Sequence, residues 1–353
     1  SSRHSSRHSG LDLLRACAIA LVFMYHYMVF VSGEPTFGWL SQIGWVGVDL
    51  FFVLSGYLIG NQLFKGLAQG KQLSFRRFYW RRALRTWPVF WLVLAAFFLL
   101  PQLMGGNTPP PLWRFLTFTQ NYQLMPGTAF SHAWSLCIEE QFYLIFPVVA
   151  LLIASSRRSI GIAWTALVGA MLLAMFLRGF NWYAHGEENI SGRSFMEHIY
   201  YSSFTRFDEL LPGVAIALLK NFHPTVYAAL LRRGNLLLLA GLASVGLIFY
   251  VFQNYEYIRG FGRTFQVVTF GYSFLAISFA ILVLAALSPD CWLNRIRIPG
   301  ATHIALWSYA IYLIHNTLTH IILFSYSKFK PHLSELSLPL ALLPSATNPL
   351  QLL

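Results

Sequence analysis

The chain reads as an all-α protein, a polytopic bundle of transmembrane helices. Hydrophobic residues make up 56% of it and charged residues only 11%, where a soluble domain averages about 25% charged. Nine apolar stretches approach the length of about 20 residues that crosses a bilayer. The basic residues gather in the short segments between those stretches, which is how membrane helices are oriented. A net charge of +12 could suggest nucleic acid. The cations form no continuous stripe, however, so no nucleic-acid partner is expected.

The nine spans run 11–31, 43–64, 86–104, 134–154, 160–178, 204–220, 235–252, 265–287 and 303–326. The tail Leu336 to Leu353 is apolar but interrupted by Pro339, Pro344 and Pro349. A tenth, broken span is expected there. Residues 1–10 form a flexible basic leader, and 11–353 form one transmembrane domain with no extramembrane stretch long enough for a second. With a cytoplasmic N-terminus, 17 of the 25 basic residues lie on that side. The cluster from Arg76 to Arg85 weighs most, and Lys65, Arg157, Arg158, Arg232 and Arg233 agree with it. The segment from Gly105 to Ser131 then becomes an exposed outer loop.

The first span carries Arg15 and His26. Eleven residues at about 100° each end roughly 20° past three whole turns, so both side chains share a helix face. They stand about 16 Å apart along it. An Arg at the start of a span can simply snorkel to the interface beside Asp12. An imidazole deep in the same face marks a pathway or a reaction site.

The second span holds Asp49 between Gly47 and the pair Ser55-Gly56. An acid in an apolar helix needs a partner, for which an intramembrane Arg is the natural class. The small residues permit close helix approach. Ahead of the third span, cations interleave with aromatics from Phe75 to Pro88, and all five basic positions are Arg. Arg82 and Arg85 share a face and can grip a phosphate bidentately. A purely topogenic cluster would not need arginine throughout.

The fourth span opens on Trp134-Ser135-Leu136-Cys137-Ile138-Glu139-Glu140. Two adjacent carboxylates point about 100° apart, so one of them at most faces His26. A carboxylate beside an imidazole orients it, and Glu139 takes that role here. Arg206, Asp208 and Glu209 form a local ion pair at the start of the sixth span. Tyr309, Tyr312 and His315 fall at spacings of three on the ninth. His132, His185 and His198 lie in loops. The three cysteines, Cys17, Cys137 and Cys291, read as small buried hydrophobes, and neither a metal site nor a disulfide framework is expected.

Arg15-x10-His26, the run Gly47 to Gly56, Arg82-x-x-Arg85 before Pro88, and Trp134-Ser135-Leu136 leading to Glu139 and Phe142-Tyr143 stand in order along the chain. Together they resemble the acyltransferase-3 family of integral-membrane O-acyltransferases, with a weaker echo from Tyr309 to His315. The resemblance covers roughly 11–326. It implies ten transmembrane helices, an acyl-CoA cosubstrate with acetyl-CoA foremost, and transfer to a hydroxyl on a carbohydrate acceptor. It points to His26 as the catalytic histidine, with Arg15 its motif partner, and to a functional role for Arg82 and Arg85. Some members carry a fused extracytoplasmic hydrolase-like domain, which 11–353 is not expected to contain.

The expectation is therefore an enzyme of the cytoplasmic membrane, with no tightly bound cofactor, that moves an acyl group onto a cell-surface or exported glycan. His26 serves as general base, Glu139 as its orienting acid, and Arg82, Arg85 and Arg15 hold the donor phosphates. Asp49, Glu140, Arg206, Tyr312 and His315 are the further candidates. No G-x-S-x-G turn supports a serine acyl-enzyme. Acylation of a small molecule such as an antibiotic is an alternative acceptor reading. A transporter or flippase would use the same polar stripe but would bring inverted repeats and broken helices.

Overall fold

The computed structural model describes residues 9–71, 74–104, 106–255 and 264–333, with side chains omitted at 252–255 and 319–333. Most of the leader, with Arg3 and Arg7, and the tail at Leu336–Leu353 with its expected tenth span lie outside the described residues. Among the described residues ten helices of eight residues or more make the bundle. They are α1 (Ser9–Tyr27), α2 (Val46–Ala68), α3 (Phe75–Leu99), α4 (Trp134–Ala154), α5 (Ser159–Ala184), α6 (Leu211–Phe222), α7 (Pro224–Leu231), α8 (Gly234–Tyr255), α9 (Tyr272–Leu287) and α10 (Ala301–Leu333). Among the described residues no strand occurs. The protein is a polytopic helical bundle. Among the described residues seven helical segments are long and apolar enough to cross a membrane, and an eighth is if one bent pair is counted as a span. The ninth expected span falls on α10, which is not among those seven.

Helices α2 and α9 form the middle of the bundle, their span windows 72% buried against 11% for α5. Glycine makes the crossings at α2 possible. A Cβ on Gly47 would sit 2.3 Å from the Ala18 carbonyl oxygen of α1, and one on Gly56 1.9 Å from that of Leu210. Gly213 of α6 meets the Val53 carbonyl in the same way at 2.0 Å. Backbones this close leave no room for a side chain. Ser55, grouped with these glycines on sequence grounds, instead donates a hydrogen bond across the bundle, as described below.

The structure departs from the expected layout most at a helix start, at the sixth span and at the outer loop. Helix α3 starts at Phe75, eleven residues before the expected span, because Ser74 caps it by accepting from the Arg77 N–H. The arginine cluster therefore lies within the helix, from its first turn onward, and not ahead of it. The sixth span is assembled from short pieces, Ser203–Arg206 and Phe207–Leu210 leading into α6, and then turns by 112° into α7. Pro224 disfavours a helical conformation at His223, whose φ and ψ are −129° and 58°. The outer loop expected to be exposed is so only in part, at Trp113, Leu116 and Tyr122, and is otherwise folded onto the bundle. Phe115, Leu124 and Phe130 are buried, and Phe130 stacks 4.6 Å from Phe97 of α3. A loop this aromatic gains more from covering the bundle than from solvation.

Candidate functional site

Helices α1, α2, α3, α4 and α10 surround a cavity that is partly open to the outside. Its polar lining is Arg15 from α1, Ser55 from α2, Arg82, Arg85 and Thr86 from α3, Ser135 and Glu139 from α4, and Ser308, Tyr309 and Tyr312 from α10. Five separate stretches of sequence thus converge on one space. The apolar wall comes mainly from Val48, Phe51, Leu54 and Leu58 of α2.

Glu139 holds the arginine end together. It accepts from the Tyr143 hydroxyl at 2.5 Å and from the Ser55 hydroxyl at 3.1 Å, and lies 3.7 Å from the Arg82 guanidinium. That guanidinium lies over the Tyr143 ring at 3.7 Å from its centre, a cation–π contact that fixes its plane. Ser135, Glu139 and Tyr143 recur every four residues and share one face of α4. Glu140 turns away to accept from the Thr86 hydroxyl at 3.1 Å, and the Thr86 carbonyl accepts from Tyr309 at 3.0 Å.

Arg15 and Arg85 make no hydrogen bond or ion pair among the described residues, and the buried Nε of Arg82 is likewise without a partner. Three guanidiniums therefore face this cavity against one lining carboxylate. Such a surplus, presented as planar forks, suits a phosphate or another multivalent anion.

His26 lies beyond the other end. Its imidazole stacks on that of His315, ring centres 4.7 Å apart, with Nδ1 of His26 2.7 Å from Nε2 of His315. One turn back along α10, the Tyr312 hydroxyl contacts Ser135 at 2.6 Å and donates to the His132 carbonyl at 2.6 Å. His132 in turn gives its Nε2–H to the Leu313 carbonyl at 3.0 Å. This ring, expected in a loop, is a buried clamp between the start of α4 and α10.

The expected pairing of His26 with Glu139 is not formed. Along the shared face of α4, Ser135 is the residue that reaches α10, and Glu139 lies a full turn further on. Comparing depths within two spans does not say which residue of each faces the other. Glu139 works on Arg82, and the partner of His26 is His315.

Asp49 pairs with an intramembrane arginine, as its position required. Arg206 donates to it at 2.9 Å and also binds Glu209, with all three side chains fully buried. Arg206 further lies 4.2 Å from the centre of the Tyr272 ring and 4.5 Å from that of Tyr200. Its local pair with Glu209 was legible, whereas the bond to α2 was not. Asp208, grouped with these, binds elsewhere. It receives Arg178 bidentately at 2.7 and 3.0 Å, and the Ser273 hydroxyl completes the cluster. Arg178 carried no signal in the sequence, because it is the last residue of the expected fifth span, where a cation can reach the interface. The helix in fact continues to Ala184.

Cys137 and Cys291 are buried, but Cys17 is exposed on α1. His185 and His198 stack 3.9 Å apart outside the spans, where burial, with His185 alongside, holds His198 below its ordinary pKa. Among the described residues no group of three His, Cys, Asp or Glu side chains is placed to hold a metal ion.

A family model described as an acyltransferase domain matches residues 8–347. A Bacillus subtilis (strain 168) protein carrying the provisional name peptidoglycan O-acetyltransferase YrhL is 30% identical over 340 residues, 88% of this chain and 49% of its own length. The peptidoglycan O-acetyltransferase OatA of Listeria monocytogenes serovar 1/2a (strain ATCC BAA-679 / EGD-e) is 28% identical over 333 residues, 89% of this chain and 50% of its own. The chain thus spans about half the length of the curated relatives it matches. No solved structure matches it significantly. With the family model covering nearly all of its length, the chain belongs to the acyltransferase-3 family of membrane acyltransferases.

Proposed function

We propose that this chain is an O-acyltransferase that moves an acetyl group from acetyl-CoA, presented from the cytoplasmic side, to a hydroxyl of a cell-wall glycan on the far side of the cytoplasmic membrane. Peptidoglycan is the favoured acceptor, since two relatives, at 30% and 28% identity, are named for acetylating it. The carrying observation is the cavity with three guanidiniums at one end and Tyr312 and Ser135 at the other, one helical turn from His315 and so from His26.

On this reading Arg15, Arg82 and Arg85 hold the donor phosphates and leave the thioester pointing along the cavity. His26 takes the proton of the acceptor hydroxyl as its oxygen attacks the thioester carbonyl carbon. The carbon–sulfur bond breaks, the thiolate departs towards the arginine end, and the ester stays with the glycan. Glu139 and Tyr143, hydrogen-bonded to one another on one face of α4, together keep Arg82 in place.

Donor binding tests the arginine assignment. Arg82→Lys with Arg85→Lys is expected to weaken acetyl-CoA binding to purified protein by roughly tenfold or more, since charge-assisted hydrogen bonds contribute about 1.5–3 kcal/mol. Arg85→Lys alone controls for folding, because Arg85 makes no bond among the described residues. Unchanged donor affinity in the double variant would refute the assignment. Label transfer from acetyl-CoA to peptidoglycan fragments tests the acceptor, and His26→Ala should abolish it.

A further inference from the structure

The cavity has two levels. Ser55 and Arg82 both contact Glu139 of α4, and Tyr309 of α10 bonds to the Thr86 carbonyl. Those contacts place Glu139 and Tyr309 level with the arginines. One turn further along the same two helices stand Ser135 and Tyr312, their hydroxyls 2.6 Å apart. They are the polar lining residues of this far end, with Phe51 edge-on to the Tyr312 ring as apolar wall. It is also the end nearest the base, since the Tyr312 ring lies 5.8 Å from that of His315, which meets His26.

The hydrogens on the two hydroxyls can be assigned. Tyr312 lies 2.6 Å from the His132 carbonyl oxygen, which can only accept, so its single phenolic hydrogen points there. Ser135 is therefore the donor in its contact with Tyr312. The partner of Ser135 is thus a phenol and not an imidazole or a carboxylate, which gives no base to turn the serine into a nucleophile. Its hydrogen turns about one bond and is held only by an uncharged oxygen. Ser135 also stands in the first turn of α4, a helix of 21 residues, whose dipole favours negative charge at this end.

We propose that Ser135 is a catalytic residue, the donor to the oxyanion formed during acyl transfer, and that Tyr312 positions it. This rests on the proposed transfer from a thioester that lies along the cavity. With the donor phosphates at the arginines, the thioester carbonyl belongs at the Ser135 end. As the acceptor oxygen bonds to the carbonyl carbon, an electron pair moves onto the carbonyl oxygen. Ser135 turns its hydrogen from Tyr312 to that oxygen, because a hydrogen bond to an anion is about twice as strong as one to a neutral acceptor. The pair then returns to carbon, the carbon–sulfur bond breaks, the thiolate leaves, and Ser135 turns back to Tyr312. A donor already in place stabilises such a charge without reorganisation at the moment of reaction. One face of α4 thus serves both ends of the donor, Ser135 at the reacting carbonyl and Glu139 at the arginines.

The test is a split between turnover and donor affinity. In Ser135→Ala, kcat for label transfer from acetyl-CoA to peptidoglycan fragments should fall about 10²–10³-fold, the cost of one oxyanion donor. Acetyl-CoA affinity of the purified protein should stay within threefold of wild type. Ser135→Thr keeps a hydroxyl on the same carbon and should recover at least tenfold of that loss. Ser135→Cys, close in size but a weak donor, should not. Tyr312→Phe leaves the serine hydroxyl in place and should lose about tenfold at most, the scale of one neutral hydrogen bond. Turnover of Ser135→Ala within threefold of wild type, or equal losses in the Ala, Cys and Thr variants, would overturn the proposal. So would a larger loss in Tyr312→Phe than in Ser135→Ala, or an acetyl group found covalently on Ser135. If the Ala variant does not fold, the comparison of Cys with Thr decides. Retained transfer in His26→Ala would instead remove the reading of the site on which the proposal rests.

Discussion

Arg206 is where the buried electrostatics of this protein balance. It is fully enclosed, serves Asp49 and Glu209 together, and lies within 5.2 Å of the centres of three aromatic rings. Removing it leaves two carboxylates without their cation, whereas removing Asp49 leaves Arg206 still paired. Breaking a buried ion pair by deleting one partner costs about 3–5 kcal/mol. Arg206→Met is therefore expected to lower stability by about that amount, and Asp49→Asn by less than half of it. Denaturation of the detergent-solubilised protein measures both, and equal losses would contradict the shared-cation arrangement. Sequence reached this far because an acid in an apolar helix demands a cation. It could not say that Arg206 would supply it, since Arg206 has Glu209 three residues away as an obvious partner. Arg178 was not legible for the opposite reason, since the expected fifth span stops there while the helix runs on to Ala184.

At the scale of helices, contact distance between backbones decides the packing. Gly56 and Gly213 each face a carbonyl oxygen of the other helical segment at about 2 Å from where a Cβ would stand. Neither carbonyl can rotate away, so Gly56→Ala and Gly213→Ala should each destabilise by about 1–3 kcal/mol, the cost of overpacking. Gly246 of α8 has nothing within 4 Å. There Ala should be neutral or stabilise by up to about 1 kcal/mol through helix propensity. Thermal unfolding of the three variants separates the cases, and a uniform response would mean that the crossing is not where the structure places it. The existence of most helices was legible because hydrophobic runs of this length have few alternatives. Their ends were less so. The Ser74 cap extends α3 backwards over residues too charged to count as a span, and Pro224 turns the sixth span aside.

For the whole molecule, the proposed orientation puts the arginine end of the cavity in the cytoplasm. The loop at 155–158 and the turn at Glu187–Asn189 bracket α5 at opposite ends. In a background with Cys17, Cys137 and Cys291 replaced by alanine, a cysteine at position 188 should react with a membrane-impermeant reagent added to intact cells. One at position 157 should react only after the cells are opened. The reverse pattern would invert the orientation and with it the side from which the donor enters.

The sequence by itself determined that this is a helical membrane protein of the acyltransferase-3 family, and which residues are too polar for their surroundings to be idle: Arg15, His26, Asp49, Arg82, Glu139, Arg206 and His315. Hydropathy and charge report on each residue against the bilayer, so residues that break the pattern stand out one at a time. Which of them meet is a matter of how helices cross and rotate against one another, and no single span carries that information. Only the tertiary structure decided that Glu139 serves Arg82, that Asp49 serves Arg206, and that His26 is met by His315 from a helix almost three hundred residues away. A turn of about 100° per residue makes the difference between Ser135 and Glu139 a difference of partner, and that rotation is set by glycine contacts and clamps on other helices.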